Sequence, residues 1–145
     1  MDKEETENEK FENIEDVIEF LQKYMNEVYV EPEPNYYIRD GKILHLVGHY
    51  KYDKRVYDLY PFLIEKGYID TQKADEDSEK HVEEWKNFSN WDIDKLNYNQ
   101  LNFYIVRLYQ SDRINEGLIY EHVRDGRLLK IVELIKQYKE KEDNL

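Results

Sequence analysis

Charged side chains cluster around a glycine in the last third of the chain. They are Arg107, Asp112, Arg113 and Glu116, followed directly by Gly117. In a functional interpretation, Glu116 acts as a base and the arginines bind an anion, because a guanidinium fork matches a carboxylate or a phosphate. In a structural interpretation, Asp112 caps a helix and the arginines form ion pairs where two helices meet. No nucleophile or phosphate-binding glycine loop accompanies the cluster, which favours the structural interpretation.

His122 extends this cluster and keeps an enzymatic alternative open. If its ring and the charged groups of Arg107, Arg113 and Glu116 line one pocket, the protein is a small enzyme or a ligand-binding protein with a site at residues 107–122. Because the set lacks a nucleophile, we assign no catalytic residue and no cofactor. The sequence favours a protein without enzymatic activity.

Two further patterns resemble metal sites, and neither has the required spacing. His45 and His49 are four residues apart, which places both on one face of a helix, but their segment contains Gly48 and has strand character. The acidic run at residues 70–84 resembles a calcium loop but lacks the glycine and the late glutamate at the required offsets. We therefore predict no metal site.

The acidic run also suggests a surface that binds a protein. The net charge of the chain is −12, and the acidity is concentrated in residues 1–35 and 70–94. Repulsion from phosphates argues against direct nucleic-acid binding, whereas a basic protein surface would be attracted. A purely solvating role is the alternative. The predicted interaction surface comprises Asp75, Glu76, Asp77, Glu79, Glu83 and Glu84.

The chain contains 14 tyrosines, several of them between residues 36 and 60. Because tyrosine is favoured at the energetic centres of protein interfaces, we add Tyr50 and Tyr52 to the predicted interaction surface. The alternative is that these rings pack in the core and at its boundary.

These features favour a non-enzymatic protein-interaction module whose partner is another protein with a basic surface. In its sharpest form, the protein is an inhibitor of the anti-defence type, encoded by a virus or mobile element, whose carboxylates occupy the nucleic-acid-binding site of its partner. The plainer form is an accessory subunit or a homodimer. The chain has no cysteine, no apolar run near the ~18 residues of a membrane span and a polar N-terminus unlike a signal peptide. We therefore expect a cytoplasmic protein without membrane contact.

The elements that position these residues are mostly helices. Apolar residues at helical spacing predict a helix at residues 14–27, capped by Asn13. A second predicted helix begins at Asp53 and ends at Gly67, with Pro61 expected to kink or break it. Between the two, β-forming residues on either side of Asp40 and Gly41 predict a hairpin.

The second half of the chain predicts further helices. Ser78 is expected to cap a helix that carries Val82, Trp85 and Phe88, and the tryptophans anchor this polar segment to the core. After a helix near residues 98–110, another begins at Ser111 or Asp112 and stops at Gly126, so that Gly117 lies inside it at a cost of about 1 kcal/mol. A closing helix follows.

The predicted fold is mainly α: a compact single-domain bundle of about five helices with one small β-hairpin near residues 36–47. Residues 13–141 form the domain. Residues 1–12 and 142–145 are predicted to be frayed tails, because they are charged and contain few apolar residues.

The segment LNFYIVRLYQSDRINEGLIYEHVRDGRLLKIVELIKQY, at residues 101–138, carries a family resemblance. It resembles the C-terminal signature of the small prokaryotic domain-of-unknown-function family 6508, with Asp112-Arg113, Glu116-Gly117 and Gly126 in the signature positions. Trp85 and the segment VYDLYPFLIEKGYI resemble the middle of that family more loosely, so that the likeness covers roughly residues 50–140. The resemblance implies a compact, mainly helical domain and implies no activity.

Overall fold

The computed structural model describes residues 10–27, 32–33, 36–45, 49–50, 53–111 and 117–143. Within these residues the chain forms six α-helices, two 3-10 turns and four short strands. The α-helices are α1 Ile14–Glu27, α2 Lys54–Glu65, α3 Thr71–Lys80, α4 Tyr98–Ser111, α5 Leu118–Arg124 and α6 Arg127–Asp143; the 3-10 turns are Phe88–Asn90 and Ile93–Lys95. The mainly helical class is confirmed, with six helices where about five were predicted.

Helix α4 lies at the centre of the fold. Its residues from Leu101 to Val106 are all buried, and it packs against α3, α5 and α6. A helical stretch that is buried on every side is mostly apolar, and the one polar member of this run, Asn102, is satisfied by the backbone amide and carbonyl of Asp70. The helices α1, α2, α5 and α6 present apolar faces to this core, as α6 does with Leu128, Ile131 and Ile135, whereas α3 buries Ala74 and Asp77.

Helix boundaries follow local capping chemistry. Asn13 and Asp16 form a reciprocal cap on α1: the Asp16 amide donates to Asn13 Oδ1 at 3.0 Å, and the Asn13 amide donates to Asp16 Oδ2 at 3.2 Å. Asp53 caps α2 by accepting from the Arg55 amide at 3.0 Å. Gly67 follows α2 with a φ of 81°, which favours glycine. These three predictions are confirmed.

Two predictions for the middle helices need correction. Helix α2 continues through Pro61 without the predicted break, and the alternative of a kink stays a prediction. Pro61 lies on the exposed side of α2, where water can replace a missing backbone hydrogen bond. Helix α3 begins after Asp70, whose carboxylate accepts from the Lys73 amide at 3.0 Å, and it ends at Lys80. Ser78 therefore lies inside α3 and does not cap a later helix. Residues 81–87 form turns instead.

The predicted helix from Ser111 or Asp112 to Gly126 is also wrong at its start. Ser111 is the last residue of α4, and α5 begins only after Gly117. Gly117 has a φ of 91°, a left-handed conformation that favours glycine, so this residue precedes α5 rather than interrupting it. Gly126, with a φ of 84°, separates α5 from α6 as predicted.

The strands are short and lie between α1 and α2. Their bounds are β1 Pro32–Glu33, β2 Tyr36–Arg39, β3 Lys42–His45 and β4 His49–Tyr50. The backbones of β2 and β3 pair antiparallel, as do those of β1 and β4. Asp40 and Gly41 connect β2 to β3 with φ values of 55° and 75°. The strand side chains lie outside the described residues, so the packing of a hairpin near residues 36–47 on the helices stays a prediction.

The predicted tails fall mostly outside the described residues. The description begins at residue 10, and α6 extends to Asp143, two residues beyond the predicted domain boundary. The domain limits stay a prediction.

Candidate functional site

Arg107 lies near the C-terminal end of α4 and connects it to α3. Its Nη2 is 3.4 Å from Asp75 Oδ1, and its Nη1 donates to Gln110 Oε1. The guanidinium carbon lies 5.5 Å from the centre of the Phe103 ring. Arg107 is therefore held by contacts within the protein.

The rest of the predicted 107–122 cluster divides into two parts. Asp112, Arg113 and Glu116 lie outside the described residues, so both the anion-binding pocket and the ion-paired corner stay predictions. Gly117 is buried and precedes α5. An open groove of about 550 Å³ lies beside α1, where Phe11, Phe20, Tyr24 and Arg55 are among its lining residues. None of the described members of the 107–122 cluster lines this groove.

His122 lies in the core, not in an open pocket. Its side chain is fully buried; its Nδ1 lies 2.8 Å from the Leu118 carbonyl and its Nε2 lies 2.7 Å from the Tyr104 hydroxyl. A carbonyl can only accept, so Nδ1 carries the hydrogen. The unprotonated Nε2 then accepts from Tyr104. Burial lowers the pKa of His122 below its usual value and keeps the ring neutral.

Tyr104 joins His122 to the turn at Phe88–Asn90. Its hydroxyl lies 3.5 Å from Arg127 Nη1 and 3.4 Å from the Ser89 carbonyl, and burial raises its pKa. Arg127 also donates from Nη1 to the Ser89 carbonyl at 3.1 Å and from Nε to Asp125 Oδ2 at 2.7 Å. Sequence reasoning missed Tyr104 as the partner of His122, and it missed Ser89 and Arg127 as the further contacts of Tyr104.

A weak sequence signal for the position of His122 does exist. Ile119, His122 and Val123 recur at helical spacing, and both apolar members of this set are buried. The spacing therefore places His122 on the core face of α5. It does not identify Tyr104, which is 18 residues away on another helix.

Five of the six predicted acidic surface residues are exposed. They are Asp75, Glu76, Glu79, Glu83 and Glu84, on α3 and in the turns that follow it, and we call them the acidic face. The prediction for Asp77 is wrong: its exposure is 4%, because it lies on the side of α3 that also carries the buried Ala74. Its Oδ1 lies 3.3 Å from Lys73 Nζ, while its buried Oδ2 has no hydrogen-bond partner among the described residues.

The members of the acidic face differ in their ion pairs. Asp75 pairs with Arg107, Glu83 with Lys86 at 3.0 Å, and Glu84 lies 3.3 Å from His81 Nδ1, as separate contacts. Within the part of the chain that the structure describes, Glu76 and Glu79 form no ion pair. Their charge is therefore available to a partner.

Aromatic side chains pack around the turns at residues 81–87, which carry part of the acidic face. Trp85 stacks on His81 with ring centres 4.3 Å apart and meets Trp91 and Phe103 edge-on at 5.5 and 4.9 Å. The two tryptophans anchor this polar stretch to the core, as the sequence predicts. Val82, between His81 and Glu83 in sequence, is 61% exposed.

The two tyrosines of the predicted interaction surface remain untested. The backbone of Tyr50 belongs to β4, but its side chain is outside the described residues, as is all of Tyr52. Their part in any interaction stays a prediction.

Two general features complete the description. Among the side chains that the structure describes, no group of three or more His, Cys, Asp or Glu could hold a metal ion. None of the described helices combines the length and the apolar character that crossing a bilayer requires.

Comparison of the chain with known proteins and families gives one match. No curated protein and no solved structure matches the chain. A family model does match, from residue 6 onwards, and therefore includes the N-terminal residues that the resemblance at residues 50–140 did not reach. Because that model covers residues 6–141, the chain belongs to the family of unknown function DUF6508.

Proposed function

We propose that the protein is a non-enzymatic interaction module whose acidic face binds a basic surface of another protein. The observation that carries this proposal is the combination of two exposed carboxylates without described ion pairs, Glu76 and Glu79, with the exposed Val82, three residues before Trp85 in sequence. Protein interfaces combine an apolar centre with a charged rim. Val82 would supply the centre and the carboxylates the rim.

Electrostatics supports a basic partner. Residues 70–94 contain nine acidic and three basic residues. A surface of one charge sign attracts a complementary surface before contact and accelerates association, and salt weakens this attraction. A rigid support also favours binding, because the turn does not have to be ordered when the partner arrives. The Trp85 ring contacts provide such a support.

The test compares two variants with the same loss of charge. In Glu76→Gln/Glu79→Gln, two unpaired carboxylates of the acidic face become neutral. In Glu19→Gln/Glu65→Gln, two exposed carboxylates on α1 and α2 become neutral. Each tagged protein is used to capture partners from nuclease-treated lysate at low and moderate salt, and the captured proteins are identified by mass spectrometry.

We expect a basic protein to be retained by the wild type and by the α1/α2 variant and to be lost from the acidic-face variant. Its retention should decrease as salt increases. An equal decrease in retention for both variants would show that only the overall charge matters, and full retention by both would show that Glu76 and Glu79 are not needed; either result would contradict an acidic-face interaction. A third variant, Val82→Ser, separates the apolar centre from the charged rim because it leaves the charge unchanged.

The sharper form of the proposal gives the partner a nucleic-acid-binding site and places the carboxylates where phosphates would lie. It would make the protein an inhibitor, such as one encoded by a virus or mobile element. Once a partner is identified, competition with DNA or RNA tests this form. Simultaneous binding of nucleic acid and this protein would eliminate the inhibitor role and leave the interaction itself intact.

A further inference from the structure

The Leu118 carbonyl determines which atom donates in the hydrogen bond between Tyr104 and His122. Since the Leu118 carbonyl must receive the hydrogen of Nδ1, only Nε2 can accept from Tyr104. The Tyr104 oxygen is then free to accept, and Arg127 Nη1 lies 3.5 Å from it. In the neutral state the donors therefore point in one order: Arg127 to Tyr104, Tyr104 to His122, and His122 to Leu118.

The hydroxyl of Tyr104 also has a second acceptor within reach. The carbonyl of Ser89 lies 3.4 Å from the hydroxyl oxygen, compared with 2.7 Å for His122 Nε2. A hydroxyl can rotate its hydrogen from one acceptor to the other without moving its oxygen. A buried donor between two acceptors is the arrangement that a change of protonation can reverse.

We propose that protonation of His122 turns the Tyr104 hydroxyl from His122 to the carbonyl of Ser89, and that this buried pair is a proton-dependent switch acting on the turn Phe88–Asn90. The added proton comes from solvent and binds Nε2, which then donates to the Tyr104 oxygen. The hydrogen of Tyr104 stays on its oxygen and rotates to the Ser89 carbonyl. The two buried side chains, Tyr104 and His122, keep an acceptor for each of their hydrogens, and no covalent bond within the protein breaks.

The charged groups around His122 determine what the switch changes. Burial, together with Arg127 on α6, opposes the protonated ring, whereas the bond to the Leu118 carbonyl, Asp125 in the turn after α5 and Glu121 on α5 favour it. Helix α4 contributes Tyr104, and the 3-10 turn contributes the Ser89 carbonyl. Helix α1, which also packs against α5 and α6, adds none of these charges. Repulsion between the imidazolium and Arg127 should weaken the bond from Arg127 to Ser89, whose carbonyl Tyr104 then takes over.

The turn Phe88–Asn90 can report this change. Phe88 contacts the Tyr104 ring with centres 5.1 Å apart and contacts Trp91 at 6.5 Å. A shift of the Ser89 carbonyl can therefore change the surroundings of Trp91 through the neighbouring Phe88 ring. This coupling does not require the acidic face to bind a partner, so it stands independently of the proposed function.

The test is nitrogen NMR of the histidine rings in the full chain, recorded as pH decreases from 8 to 5, with circular dichroism to follow folding. We expect the His122 resonances to show hydrogen on Nδ1 alone at high pH. As pH decreases, Nε2 should become protonated while the protein stays folded, and tryptophan emission should change over the same range. A hydrogen on Nε2 at high pH would overturn the proposal. So would a His122 ring that stays neutral until the protein unfolds, since this would show a purely structural histidine.

Two variants assign the emission change to this pair. Tyr104→Phe removes the hydroxyl and should abolish the change that accompanies His122 protonation. His81→Gln is the control, because His81 stacks on Trp85 and could alter its emission directly. The change should persist in His81→Gln; its loss there would overturn the coupling to Ser89. If Tyr104→Phe does not fold, the NMR result for the wild type still decides the hydrogen-bond reversal.

Discussion

The acidic face and the Tyr104–His122 pair use polar groups in opposite ways. On the acidic face, Glu76 and Glu79 are exposed and unpaired among the described residues. In the core, Tyr104 and His122 have no exposure and bond to each other at 2.7 Å. Water solvates the first set at little cost, whereas the second set must find partners inside the protein. The difference separates groups available to a partner from groups that hold the fold together.

Asp77 lies between these two regimes. It is adjacent in sequence to the acidic face but shares the burial of the core, and one of its carboxylate oxygens lacks a hydrogen-bond partner. A helix turns by about 100° per residue, so a neighbour in sequence can face the opposite environment. Acidic residues on one helix therefore do not form one functional group.

The largest expected effect is a loss of stability when the buried Tyr104 side chain is removed. Tyr104→Ala removes a fully buried ring together with its hydrogen bond to His122. We expect the free energy of unfolding to decrease by about 3–5 kcal/mol, measured by urea denaturation. Tyr138→Ala is the control: Tyr138 is 36% exposed and donates to the Leu96 carbonyl, so its replacement should be less harmful. Equal losses in the two variants would contradict a central role for Tyr104.

The pH dependence of stability comes next. Burial lowers the pKa of His122 in the folded protein, so the unfolded chain binds a proton at higher pH than the folded one. The contribution of His122 is fully present above its unfolded pKa of about 6.5 and is lost as pH falls from there towards the folded pKa. Denaturation at a series of pH values should show this decrease. His122→Gln should flatten it, and an unchanged slope in that variant would assign the effect to other groups.

The sequence predicted the helical elements where one short pattern decides them. Asn13 and Asp53 cap their helices, and Gly67 and Gly126 follow theirs, because each effect acts within a few residues. The predictions failed where two local signals compete and tertiary packing decides between them. Ser78 and Asp70 are both good caps in isolation, and the choice between them depends on which face of α3 packs against α4.

The candidate site was less predictable than the helices. The exposed carboxylates followed from charge alone, with Asp77 as the exception, whereas Tyr104, the side-chain partner of His122, comes from another helix. Neither composition nor spacing indicates that Tyr104, Ser89 and Arg127 meet around one hydroxyl. Such contacts arise from tertiary packing, which a single sequence does not display.

A smaller effect sharpens the boundary between the two regions. Asp77→Asn removes a buried charge whose Oδ2 lacks a partner, at the loss of one contact with the half-exposed Lys73. Because an unsatisfied buried carboxylate is more costly than such a pair is favourable, we expect stability to increase by about 1 kcal/mol. Asp75→Asn, on the exposed side of the same helix, should not be stabilising, since Asp75 pairs with Arg107. Strong destabilisation by Asp77→Asn would show that the carboxylate has a role in the fold.

The smallest expected effect concerns the acidic face itself. Glu76 and Glu79 are exposed and form no ion pair among the described residues, so Glu76→Gln/Glu79→Gln should leave the urea midpoint unchanged at moderate salt. At low salt this variant should be slightly more stable than the wild type, because it removes two negative charges from a chain whose net charge is −12. The Glu19→Gln/Glu65→Gln variant should behave alike in both conditions. A midpoint that decreases only in the acidic-face variant would mean that these carboxylates stabilise the fold, and a loss of binding in that variant could then no longer be assigned to the surface alone.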